Sequence, residues 1–75
     1  SLQVTITVAS GKITNVTYTT TAGDGKSLSI EARATPTLKS EVLAAQSAQV
    51  STVSGATYTS TKYLTSLQSA IDQMG

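Results

Sequence analysis

The chain has 75 residues, 39% of them hydrophobic, which suits one domain near the lower size limit for folding alone. It contains no Cys, His or Trp, so disulfide staples, Cys/His metal sites and a Ser-His-Asp triad are all excluded. A net charge of +1 with 12% charged residues gives no nucleic-acid footprint, and no stretch reads as a signal peptide or a membrane span.

Leu2, Val4, Ile6 and Val8 alternate with Gln3, Thr5 and Thr7, a period of two that reads as a half-buried strand. Ala9-Ser10-Gly11-Lys12 supplies the turn, with Gly11 able to take a positive φ. A second strand follows in "ITNVTYTTT", with Val16 and Tyr18 on one face. Ile13 is out of phase with them, so a bulge or a hairpin end is expected there. The two strands form a β-hairpin from Leu2 to about Thr20.

Ala22-Gly23-Asp24-Gly25-Lys26-Ser27 breaks the pattern and reads as a loop. Ser27 or Ser29 is placed to cap a short helix running through Ala34, with Glu31 in its first turn. Pro36 then interrupts, and Thr35-Pro36 fits an N-cap followed by proline at the first position of a second helix. We therefore expect a kink or break near Pro36. Leu38, Val42 and Ala45 form an apolar stripe on that second helix, widened by Leu43. Gln49-Val50-Ser51 reads as a short connecting strand. Tyr63, Leu64, Leu67, Ala70, Ile71 and Met74 follow helical spacing, giving a last helix from about Thr59 to Met74. This order is that of an α+β domain, a small antiparallel sheet with helices packed on one face.

Just before the last helix stands "VSGATYTS", residues Val53 to Ser60. Nothing near Ser54 or Thr57 serves as a general base, and Asp24, Glu31, Glu41 and Asp72 are scattered along the chain. Gly55-Ala56-Thr57 lacks the Gly-Lys-Ser/Thr spacing of a phosphate-binding P-loop. Three tyrosines without a basic stripe read as core and cleft residues. Hydrolytic catalysis is therefore set aside. What is left is a helix N-terminus fronted by hydroxyls and very small residues, where open N–H groups and the helix dipole favour a phosphate. The plain alternative is an ordinary N-cap, in which Thr57, Thr59 or Ser60 accepts an N–H bond and Gly55 turns the chain.

The stretch resembles the flavinylation motif of the FMN-binding domain family, Ser/Thr-Gly-Ala-Thr, which stands here as Ser54-Gly55-Ala56-Thr57. That family includes the C subunit of Na+-translocating NADH:quinone reductase, the G subunit of the Rnf electron-transport complex and small secreted bacterial domains. The resemblance runs through nearly the whole chain. "VTITVASGKITNVT" is similar to the family's first hairpin, "EARATPTLKSEVLAAQSAQV" to its helical middle and "SLQSAI" to its closing helix. It implies FMN as cofactor, held by a phosphoester to Thr57 that a separate flavin transferase makes from FAD. Gly55 and Ala56 would let the transferase and the phosphate tail approach the backbone. Ser54, Tyr58, Thr59 and Ser60 become candidates for hydrogen bonds to the tail or ring. Tyr18 or Tyr58 is available to stack on the flavin, although each also suits packing. The family commonly has an acidic residue three positions before the motif's serine, where this chain has Ser51.

By that resemblance the expected function is electron transfer by covalently held FMN, as a redox carrier rather than an enzyme by itself. Its expected partners are a flavin transferase and redox donors and acceptors. The expected location is the bacterial envelope, outside the cytoplasm, in a domain excised from a longer secreted or membrane-anchored chain. Membrane association would come only from flanking regions. The alternative is a non-redox envelope binding or structural module with Thr57 unmodified, compatible with the threonine-rich hairpin and with Ser51.

Overall fold

Strands β1 (Leu2–Ala9) and β2 (Lys12–Thr20) pair antiparallel in the computed structural model, which describes residues 2–21 and 23–74. Ser10 and Gly11 turn the chain between them at φ 53° and 75°. Positive φ at both central residues gives the twist that two-residue hairpins require. The expected bulge is present: Thr7 faces Asn15 and Val8 faces Ile13, which leaves Thr14 as the extra residue of β2. Its effect is to rotate Ile13 onto the same face as Val16. Leu2, Val4, Ile13 and Val16 are accordingly all buried, while Gln3, Thr5, Thr7, Thr14, Thr17 and Thr19 lie on the exposed face.

One long helix, α1 (Gly25–Ala45), replaces the two short helices expected from sequence, and Pro36 lies inside it. An interior proline removes one backbone hydrogen bond and costs about 3 kcal/mol. Here its ring and Ala32, whose carbonyl it cannot meet, are both exposed to water. Packing of Ala34, Thr35, Leu38 and Val42 into the core carries the helix across this point. Thr35 thus faces the core instead of capping a new helix. The cap of α1 is Asp24, whose carboxylate accepts the Ser27 amide at 3.0 Å, so neither Ser27 nor Ser29 has that role. The expected loop is correspondingly shorter, and its Ala22 lies outside the described residues. Ala45 is exposed and drops out of the apolar stripe.

At the other end of α1, Gln46 adopts the left-handed conformation and donates its amide to the Val42 carbonyl at 2.7 Å. Its side chain reaches β2, accepting from the Ile13 amide at 2.7 Å and donating to the Ile13 carbonyl at 2.9 Å. The segment from 47 to 56 then crosses without forming a strand, so the Gln49–Ser51 strand is not there.

Helix α2 (Thr57–Asp72) closes the molecule, starting two residues earlier than expected and stopping before an exposed Met74. It lies against β1 while α1 lies against β2, and the two helices touch, with Ala34, Leu38 and Val42 of α1 and Tyr63 and Leu67 of α2 buried in one shared core. Ser66 accepts the Val4 amide at 2.9 Å, tying α2 to β1. The result is the expected α+β arrangement, with both helices on one face of the hairpin. Burial, and then the charge that Tyr18 would carry, raise the Tyr63 phenol above its ordinary range.

Candidate functional site

The motif is a tight turn followed at once by a helix. Val53 accepts the Ala56 amide at 3.0 Å, closing a β-turn whose third residue, Gly55, has φ 77°. A turn with positive φ at that position is the one that favours glycine. A Cβ built on Gly55 would meet the nearest atom, Nη2 of Arg33, at 3.4 Å, an ordinary contact. Backbone conformation, and not space, therefore calls for glycine here.

Ala56 is the residue before the helix, buried, and no side chain caps α2. The first helical carbonyl–amide bond runs from the Ser60 amide to the Ala56 carbonyl at 2.8 Å. The amides of Thr57, Tyr58 and Thr59 come before it and have no intrahelical acceptor. The first turn contains no acidic residue either. The plain alternative holds in part: Gly55 turns the chain and Ser60 accepts an N–H bond, that of Val53, but none of Thr57, Thr59 and Ser60 caps the helix.

Ser60 is fully buried, and its Oγ accepts the Val53 amide at 3.0 Å. This bond pins the turn to the first turn of the helix. The candidate residues consequently divide. Ser54, Gly55, Thr57 and Tyr58 lie on the surface, Thr59 is partly covered, and Ala56 and Ser60 face inward. Thr57, as first residue of the helix, presents its side chain at the exposed N-terminal end.

The two candidate stacking tyrosines also part. Tyr18 packs on Tyr63, with ring centroids 6.5 Å apart and a 58° tilt, and lines a groove of about 440 Å³ with Pro36 and Lys39. Tyr58 is 75% exposed beside Thr57, and the Lys62 ammonium sits 4.7 Å over its ring. Packing describes Tyr18 but not Tyr58.

Two cations lie near the motif, and only one of them was legible in the sequence. Lys62 is one turn beyond Tyr58 on the same helix face, a spacing that could have shown it. Arg33 is 21 residues from Ser54 on another helix. Its Nη1 donates to the Ser54 carbonyl at 3.5 Å and its Nη2 to the Gly55 carbonyl at 3.4 Å. Both contacts are long for hydrogen bonds. An uncapped helix start, two nearby cations and no acid make this end of α2 a favourable place for an anion.

The model of the FMN-binding domain family matches residues 1–72. The chain belongs to the FMN-binding domain family. Among curated proteins, none matches it. FMN is the cofactor that this family membership gives, and a flavin-binding role with it; a cofactor carrier is the role this favours over a catalyst. The residues present fit the group. A phosphate at the start of α2 would meet open amides and a guanidinium, Gly55 at positive φ makes the tight turn, and Thr57 offers a hydroxyl at the same surface. When bound, the flavin would supply reversible redox chemistry.

Proposed function

We propose that this FMN-binding domain carries FMN as a phosphoester on Thr57 and serves as an electron carrier in a bacterial envelope redox chain. The observation that carries the reading is the exposed Thr57 at an uncapped helix start, directly behind the Ser54-Gly55-Ala56 turn. Attachment would need a flavin transferase. Thr57 Oγ attacks the FMN-side phosphorus of FAD, the O–P bond forms, the pyrophosphate bond breaks, AMP leaves and the hydroxyl proton passes to the transferase. Within the domain, the turn and the helix dipole would then hold the anionic phosphodiester, and Tyr58 offers the ring an exposed aromatic face. Ser54 and Thr59 remain candidates for hydrogen bonds to the tail. Ala56 and the buried Ser60 would act through the backbone they support.

A covalent link suits a site outside the cytoplasm, where a dissociated cofactor could not be recaptured. The domain needs no substrate pocket for this role and is not an enzyme by itself. Its partners would be the transferase and redox donors and acceptors, with membrane association left to flanking regions. Ser51 is exposed at the position where the family commonly has an acid, and it favours a second reading, a non-redox envelope module with Thr57 unmodified.

Intact mass decides between them. Co-expressed with a flavin transferase, the wild type should gain the mass of FMN less water and stay yellow after denaturation. Peptide mapping should place the group on Thr57, and Thr57→Ala should remain unmodified. Ser51→Asp should speed attachment if the acid aids recognition. Flavin mapped to Thr59 or Ser60 would discard the site, and a wild type that several transferases leave colourless would favour the non-redox module.

A further inference from the structure

Arg33 has a guanidinium with five N–H donors in a fixed fork. In this structure it spends two of them on backbone carbonyls, those of Ser54 and Gly55, at 3.5 and 3.4 Å. Among the described residues it has no carboxylate partner. Neutral carbonyls at such lengths are weak acceptors for a full positive charge, and the side chain is exposed. The two carbonyls belong to the residues three and two positions before Thr57, so the charge is held against the turn that delivers the modified hydroxyl. Lys62, the other nearby cation, lies over the Tyr58 ring.

We propose that Arg33 is the positioning residue that pairs with the phosphodiester joining FMN to Thr57. This inference rests on the FMN reading above. Without flavin, the guanidinium is parked on the turn. With flavin in place, it exchanges one or both long carbonyl contacts for charge-assisted bonds to phosphate oxygens and fixes the tail against the turn. The open amides at the start of α2 would share the anion but contribute only partial charge. Arg33 brings the full charge and the planar fork that a phosphate takes in two-point fashion.

The test uses two probes. Inorganic phosphate is titrated into the unmodified domain while the Arg33 Nε–H and the Thr57, Tyr58 and Thr59 amides are followed by 1H–15N NMR. In the transferase-loaded domain, the 31P resonance of the phosphodiester is recorded. The wild type should show saturable shifts at all four N–H groups. Arg33→Gln should weaken phosphate binding by about tenfold, in line with loss of a hydrogen bond to a charged group. It should also move the 31P resonance of the loaded domain. Arg33→Lys should restore part of the affinity, because it keeps the charge and loses the fork, and it covers the case in which Arg33→Gln fails to fold. Lys12→Gln, at the far hairpin turn, should match the wild type in both probes. A wild-type Arg33 Nε–H that ignores phosphate overturns the proposal, as does a 31P resonance that is the same in wild type and Arg33→Gln. If no transferase loads the wild type, the covalent FMN reading fails on its own, and the phosphate titration still decides the role of Arg33.

Discussion

Helix α1 opens under a side-chain cap and helix α2 opens under none. Asp24 reaches over the first turn of α1 and takes the Ser27 amide, which also draws its carboxyl below the usual 3.8. Ala56 does nothing comparable for α2, and the polar side chains that follow it either face solvent or, like Ser60, turn inward to the preceding loop. In this small domain the start of α1 is capped by a side chain. The one that follows the Ser54-Gly55-Ala56 turn is left open. An omitted cap is a small, repeated loss of stability, and it persists most readily where something other than a side chain is meant to occupy the amides.

The comparison supposes that α2 is held by packing rather than by its start. Leu67 is fully buried in the core, so Leu67→Ala should cost about 2–5 kcal/mol in chemical denaturation. A loss under about 1 kcal/mol would mean that α2 is anchored elsewhere. Next in size is the turn. Gly55→Ala places a Cβ at φ 77° and should cost about 1–2 kcal/mol through the left-handed conformation alone, since the Arg33 contact leaves room. A neutral result would show that the turn relaxes freely and does not set the geometry of the motif.

The cap of α1 gives a pH dependence. The Asp24 carboxyl is depressed chiefly by the Ser27 amide bond, so the cap is fully present above the ordinary carboxylate value and is lost as pH falls through the lower folded value. Thermal melts from neutral pH downward should show an acid limb that Asp24→Asn flattens, while the acid-free start of α2 adds nothing to it. The smallest effect belongs to Thr57. In the unmodified domain it makes no cap, so Thr57→Ala should change stability by no more than about 0.5 kcal/mol. A larger loss would reinstate Thr57 as a cap and remove the contrast between the two helices.

Much of this was legible along the chain because it depends on short-range spacing. Period two marked the hairpin, the phase of Ile13 marked the bulge, and the run from Tyr63 to Ile71 marked α2. Pro36 misled because its local cost is large and the compensating burial of Leu38 and Val42 is tertiary. Asp24, Ser27 and Ser29 are all plausible caps by residue type, and type alone does not set the register that puts Asp24 on the Ser27 amide. Gln49 to Ser51 has the composition of a strand, yet a strand needs a partner edge, and local composition does not tell whether the fold brings one alongside. The motif itself was plain from its resemblance, whereas Arg33 was not, because nothing in a sequence reveals which residue of one helix faces a turn 21 positions on.

The bonds that the Ser66 and Gln46 side chains make to the backbone of the hairpin have a consequence for its edges. A two-stranded ribbon exposes an edge on each side, and each edge is a template for pairing with another chain. Ser66 occupies the Val4 amide on one side, and the Gln46 carboxamide takes both backbone groups of Ile13 on the other, much as a neighbouring strand would. Each edge is therefore interrupted by a side chain at a single point. An incoming strand thus meets a side chain at Val4 on one edge and at Ile13 on the other, an interruption of the kind that discourages edge-to-edge pairing.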